Sequence, residues 1–255
     1  MNVALFVPCY IDQFYPGVAI ATLGLLERLG CTVAVPENQT CCGQPLANAG
    51  FEAQSLPIME GFADTFGRFD YIVSPSGSCV LHVKEHFGGL GDAAMVQRLH
   101  DRTYELCQFL VDVLRVDRLD ARFPHRVGIH ESCHGLRGLR LGKSSERNEP
   151  AYSKPRQLLE MVEGIELVDL DRSDECCGFG GTFAVNEEAL SVKMGRDRLN
   201  DHARHGVEVI TGTDMSCLMH LQGLGRRERR PVRFLHVAEI LAGQVAGSRV
   251  QVPGP

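Results

Sequence analysis

The residues with most chemistry to offer are cysteines, and they come in a repeated order. Cys9 is followed after 31 residues by Cys41-Cys42-Gly43, and Cys79 closes the set with 36 residues between it and Cys42. The order returns as Cys133, 42 residues, Cys176-Cys177-Gly178, with 39 residues between Cys177 and Cys217. Eight of the ten cysteines fall on matching positions; Cys31 and Cys107, without counterparts, read as small core hydrophobes. Adjacent cysteines seldom bridge one another without strain, and a chain of 255 residues does not need disulfide staples, so metal binding or thiol redox chemistry is the expectation. Four thiolates suit a tetrahedral zinc or an iron–sulfur cluster. Neither copy has the short Cys-x-x-Cys knuckle that zinc usually takes, and adjacent cysteines point apart in an extended chain, which suits a larger multi-iron cluster. Zinc in one of the sites stays open.

Other residues flank these sets. His82 and His220 each sit three residues after the last cysteine of a copy; they read as residues near the site, able to hydrogen-bond a cluster sulfur, or as metal ligands. His130 and His134 bracket Cys133 and read as supporting groups peculiar to copy two. The run Gly178-Phe179-Gly180-Gly181-Thr182-Phe183 lacks the Gly-x-Gly-x-x-Gly order of a dinucleotide turn and is expected to surround the cofactor with amides. Residues 136–156 are an insertion of copy two carrying Arg137, Arg140, Lys143, Arg147, Lys154 and Arg156 against Glu146 and Glu149. This segment reads equally as a solvated loop or as a docking surface for an acidic partner or anionic substrate.

Something must carry these loops, and the sequence around them repeats too. Val3-Ala4-Leu5-Phe6-Val7 resembles 126–130, and 109–114 resembles 236–241, which points to duplication of a unit of roughly 120 residues. The expected organisation is residues 1–120 as the first cysteine-rich repeat, 121–243 as the second, and 244–255 as a disordered tail. Apolar periodicity predicts strands at 3–7, 32–35 and 71–73 and helices at 18–29 and 53–66, with strands at 127–129, 166–170 and 207–210 in copy two. Alternation of this kind gives an α/β fold: two tandem pseudo-symmetric repeats, each a mostly parallel sheet flanked by helices. Ligands of such sheets sit beyond the carboxyl ends of the strands, so three loops per copy would converge there. Gly43 and Gly178 would permit the tight turns.

Composition excludes some classes. A net charge of −6, no Trp and 7% aromatics argue against a nucleic-acid partner. Five apolar residues at the N-terminus, without a basic leader, are too few for a signal peptide, and no integral membrane segment is visible. A cytoplasmic protein is expected.

The motifs Cys42-Gly43-Gln44-Pro45, Ser74-Pro75-Ser76-Gly77-Ser78-Cys79, Ser132-Cys133-His134, Cys176-Cys177-Gly178-Phe179-Gly180-Gly181-Thr182-Phe183 and Cys217-Leu218-Met219 together resemble the lactate utilization protein A (LutA/LldE/YkgE) subfamily of the cysteine-rich CCG domain, related to heterodisulfide reductases. The likeness runs to about Leu241. It implies an oxidoreductase component, the iron–sulfur subunit of a cytoplasmic complex that oxidises L-lactate to pyruvate. It further implies a LutB-like ferredoxin-type iron–sulfur subunit and a LutC-like subunit as partners. The implied cofactors are iron–sulfur clusters of the [4Fe-4S] type on Cys9, Cys41, Cys42, Cys79, Cys133, Cys176, Cys177 and Cys217. Larger relatives end each copy in Cys-x-x-Cys, where this chain has His82 and His220. A thiol–disulfide enzyme of the heterodisulfide-reductase kind and a zinc-stabilised adaptor are the rival readings.

Overall fold

The computed structural model describes residues 1–243; the expected disordered tail lies outside the described residues. Copy one runs β1 (Asn2–Leu5), α1 (Cys9–Phe14), α2 (Pro16–Arg28), β2 (Thr32–Ala34), α3 (Gln44–Asn48), α4 (Glu52–Phe66), β3 (Tyr71–Ser74), α5 (Gly77–His86), α6 (Ala93–Arg102), β4 (Thr103–Glu105) and α7 (Leu106–Gln108). Copy two runs β5 (Arg126–His130), α8 (Lys154–Leu159), β6 (Glu166–Val168), α9 (Phe183–Asn186), α10 (Glu188–Arg204), β7 (Val209–Gly212), α11 (Met215–Arg227), β8 (Arg233–His236) and α12 (Val237–Leu241). Each copy is a four-stranded sheet, ordered β2-β1-β3-β4 and β6-β5-β7-β8, parallel throughout and covered by helices. The duplicated α/β architecture is as expected, with one more strand per copy than the apolar periodicity shows.

The strand registers fix which residues of the copies correspond. Leu5 pairs with Val73 and Ile129 with Thr211, and Cys79 and Cys217 each follow six residues after those partners. Leu5 therefore matches Ile129, Phe6 matches His130, and Tyr10 matches His134. The sequence comparison of Val3–Val7 with 126–130 is thus out by one residue. Ser74 pairs with Glu105 and Gly212 with His236, so Glu105 matches His236, and the comparison of 109–114 with 236–241 is out by four.

The copies do not sit side by side as beads. One apolar core takes Val18, Leu25 and Leu26 of α2 together with Leu158, Val237, Ile240 and Leu241 of copy two. Contacts are reciprocal: α2 packs on α12 while α8 packs on α7, and α1 lies on α11 while the turn at 134–138 lies on α5. Backbones cross closely at that last contact: a Cβ on Gly77 would come within 3.3 Å of the Gly135 Cα. The hydroxyl of Tyr15 donates to Gln222 Oε1 at 2.9 Å, and the Arg28 guanidinium donates to the Ala242 carbonyl at 2.9 Å. Burial at a shared core, at about 25 cal/mol per Å² of apolar surface, makes one unit of the two sheets.

Candidate metal centre

All eight paired cysteines line one cavity of about 470 Å³, so both sets face the same space. The parallel sheets explain why. Cys9 opens α1 directly after β1, and Cys79 and Cys217 are each the third residue of a helix following a central strand. The hydrogen bond to Cys41 and burial push the Cys9 thiol up, and the hydrogen bond to Cys176 and burial do the same for Cys133. Cys41-Cys42 and Cys176-Cys177 occupy the loops after the edge strands β2 and β6. Gly43 (φ +91°) and Gly178 (φ +85°) turn the chain in the left-handed region, as their position after each pair suggests.

Within each set the sulfurs form a chain. Cys9 Sγ lies 3.7 Å from Cys41 Sγ. The amide of Gly43 donates to Cys41 Sγ at 3.4 Å, and that of Gly178 donates to Cys176 Sγ at 3.3 Å. Hydrogen bonds from Cys42 and Cys9 hold Cys41 well below the ordinary thiol range, and those from Cys133 and Cys177 do the same for Cys176. The neighbouring thiolate and burial push Cys42 and Cys177 up in turn. The arrangement is the same in both copies, as duplication requires.

The donor set can be tested against candidate cofactors. Among the described residues, no three sulfurs of one set draw within 4.8 Å of one another. Around a single tetrahedral zinc, with sulfurs at about 2.3 Å from the metal, they would stand about 3.8 Å apart. The wider spread, the soft thiolate ligands and the amides aimed at sulfur fit a multi-iron cluster.

The flanking histidines fall in different places. His134 is exposed and lines the cavity. His82 and His220 do not line it and lie behind the Cys-Cys-Gly loops. The Nε2 of His82 is 3.7 Å from where a Cβ on Gly43 would stand, and that of His220 is 3.0 Å from where one on Gly195 would stand. Burial lowers the pKa of His82 to about 4 and depresses that of His220. His130 is buried on the cavity wall, and its imidazole, Cys177 Sγ and Cys217 Sγ come within 4.8 Å of one another. Burial lowers its pKa to about 3, helped by Arg198. Fully buried, Arg198 donates to the Ile129 carbonyl at 3.3 Å, just before His130, and to Asp201 Oδ2 at 3.3 Å.

Two wall residues, Tyr10 and Asp214, escape sequence reasoning, and Phe179 of the glycine run joins them. Tyr10 and Phe179, whose rings pack edge to face at 6.1 Å, bridge the copies across the cavity. Asp214 lines it too, and its Oδ2 accepts the Ser78 amide of copy one at 2.7 Å. A signal existed for Asp214: it precedes α11 where Ser76 precedes α5.

The basic insertion is largely neutralised. Arg137 meets Glu146 (2.6 Å) and Asp174 (3.3 Å), Arg147 meets Glu149 (2.8 Å), Lys154 meets Asp112, and Arg156 meets Asp169 (2.8 Å) and Glu160 (3.1 Å). That favours the solvated loop over an acidic-partner surface.

Two parallel sheets with matched thiol sets at their carboxyl ends define a duplicated cysteine-rich-domain protein. The profile of that family, described as CCG, Cysteine-rich domain, matches residues 3–84 and 127–222, one stretch in each copy. Lactate utilization protein A of Anoxybacillus flavithermus is 41% identical over 245 residues, covering 94% of this chain and 99% of that protein. The protein of the same name from Geobacillus thermodenitrificans is 42% identical over 245 residues, covering 94% and 98%. The chain belongs to the lactate utilization protein A family of cysteine-rich-domain proteins. A solved structure, a hypothetical protein from Helicobacter pylori, superposes on 96% of this chain with a TM-score of 0.59 at 12% identity; this chain spans 49% of that one, and the likeness is one of fold. No described helix is long and apolar enough to cross a membrane.

Proposed function

We propose that this chain is the iron–sulfur subunit of a cytoplasmic complex that oxidises L-lactate to pyruvate. The observation that carries the reading is the convergence of both four-cysteine sets on one cavity, together with relatives named for lactate utilization. Cys9, Cys41, Cys42 and Cys79 would hold one cluster, and Cys133, Cys176, Cys177 and Cys217 the other. Clusters of the [4Fe-4S] type supply one-electron acceptance when bound. Lactate gives up two electrons and two protons on becoming pyruvate, so two one-electron centres in one chain match the stoichiometry.

The chain's own residues prepare the site. Gly43 and Gly178 aim their amides at sulfur, and the shared core holds the two sets at a fixed separation. All ten cysteines are unbridged, which accords with a reducing compartment. With no nicotinamide or flavin fingerprint in the chain, hydride chemistry falls to partners, here a LutB-like ferredoxin-type subunit and a LutC-like subunit.

One observation favours a second reading for copy two: His130 with Cys177 and Cys217 is a mixed nitrogen–sulfur group of the sort zinc accepts. Anaerobic purification with iron, sulfide and zinc counts separates the two. The proposal expects iron and sulfide in both copies, and Cys176→Ser or Cys177→Ser to lose about half of each and all lactate oxidation by the reassembled complex, while Cys31→Ala loses neither. Zinc alone, or full activity in either serine variant, refutes it.

A further inference from the structure

We infer that His130 is a nitrogen ligand of the copy-two centre, so that the chain carries two chemically different centres: four sulfurs in copy one, four sulfurs and an imidazole in copy two. The inference rests on the proposal that both sets hold a metal centre, and it adds a donor from outside the cysteine pattern.

Three observations on the same side chain carry it. The ligand atoms of His130, Cys177 and Cys217 all lie within 4.8 Å of one another, and among the described residues this is the only such group that draws on either cysteine set. His130 is 1% exposed yet lines the cavity that the thiols share. Neither of its ring nitrogens has a hydrogen-bond partner. An imidazole buried with both nitrogens idle is costly, because it has surrendered water and received nothing in return. A metal held by the adjacent sulfurs would engage one of the two nitrogens and so lift part of that cost. Imidazole is a fitting ligand for iron as well as for zinc.

Copy one shows that the fold does not require the histidine. Phe6 occupies the matching position, fully buried, with its ring edge-on to Phe62 at 5.0 Å and to Phe66 at 5.5 Å. It offers no donor. The strand end therefore accepts a plain aromatic ring in one copy and presents a nitrogen in the other. His134 is a weaker candidate, since it is exposed and its counterpart Tyr10 also lines the cavity. Replacing sulfur by imidazole raises the potential of an iron–sulfur centre, as in Rieske-type sites, and an added neutral donor makes copy two differ from an all-thiolate copy one.

The test uses the full chain, expressed with ¹⁵N-histidine, purified anaerobically and reduced. Iron and sulfide are counted first, and pulsed EPR then reads nitrogen coupled to the reduced centres. The expected result is a strong coupling that changes from the ¹⁴N to the ¹⁵N pattern on histidine labelling, arises from one of the two centres, and disappears in His130→Phe. Of two reduction potentials, one shifts in that variant and the other stays. Iron and sulfide present with no histidine coupling in the wild-type chain overturns the inference and leaves the proposed function standing. So does a coupling that survives in His130→Phe. Absence of iron and sulfide overturns both, and is read before any spectrum. The labelled wild-type spectrum decides by itself if the variant does not fold.

Discussion

Gly43 and Gly178 hold the same place in the two cysteine loops, yet replacing them with alanine should have unequal consequences. Both have left-handed backbones, φ +91° and +85°. Any L side chain there costs about 1–2 kcal/mol. At Gly43 nothing further is added, because a Cβ would meet its nearest neighbour, Ser55 Cβ, at an ordinary 3.5 Å. At Gly178 the Cβ would stand 2.6 Å from the Ser191 carbonyl oxygen and 2.8 Å from Met194 Cβ, both parts of α10 that cannot swing away. Overpacking of that kind adds about 1–3 kcal/mol. Gly43→Ala should therefore cost about 1–2 kcal/mol and Gly178→Ala about 2–5 kcal/mol. Urea unfolding of the metal-free protein, followed by far-ultraviolet circular dichroism, measures the difference. In a chain of this size each kcal/mol also moves the thermal midpoint by about 2–4 °C. Equal losses in the two variants, or a larger one at Gly43, would refute the claim that α10 clamps the copy-two loop from behind.

Two further outcomes follow from buried acids. Burial pushes the Glu105 carboxyl up from 4.5 to about 8, with the amides of Gln108 and Cys107 pulling the other way. A raised folded pKa means that its contribution to stability is complete below pH 4.5 and is lost as pH rises to about 8. At 1.36 kcal/mol per pH unit the total is several kcal/mol, and Glu105→Gln should flatten that slope between pH 5 and 8 in urea midpoints; an unchanged slope counts against it. Asp214 accepts the Ser78 amide at 2.7 Å and the Ser216 hydroxyl at 2.8 Å. Its replacement by Ala should cost about 1.5–3 kcal/mol and by Asn less, since Asn keeps an acceptor; the same assay giving no loss with Ala would remove Asp214 as a clasp between the copies.

Much of the fold was legible because strand–helix alternation leaves strong periodic signals. The helix read at 53–66 is α4, Glu52–Phe66, and the strand read at 71–73 is β3, Tyr71–Ser74. The strands β4 and β8 were not legible. Thr103–Glu105 is three residues with no apolar run, joined directly to helices on both sides, and Arg233–His236 is little longer. Their strand character comes from pairing to β3 and β7, a tertiary effect that local sequence does not carry. The cysteine sets were legible because adjacent pairs followed by Gly are unusual and recur. That both sets face one cavity was not, since it depends on how the copies pack. The interest of His130 was visible only as a neighbour of Cys133; its approach to Cys177 and Cys217 crosses from β5 to the loop after β6 and to the first turn of α11.

Comparison of the copies at matched positions shows where duplication has been kept and where it has been spent. The thiols, the glycines after them and the strand order are common to both. The differences gather around the strand ends: Phe6 against His130, Tyr10 against His134, Ser76 against Asp214, Glu105 against His236. Each has a structural consequence. Ser76 caps its own helix, accepting the Cys79 amide at 3.4 Å. Asp214 makes no such bond to α11 and instead reaches across to the first turn of α5, so the departure from symmetry is what ties copy two to the helix bearing Cys79. Glu105 accepts the Gln108 amide at 3.0 Å, whereas His236 accepts the Ala238 amide at 3.2 Å and is itself closed by Glu239. A homodimer of one unit could supply two thiol sets across a twofold seam, but it could not make the surroundings of those sets unequal. Fusion into a single chain permits that inequality, and the residues that differ are the ones placed to exploit it.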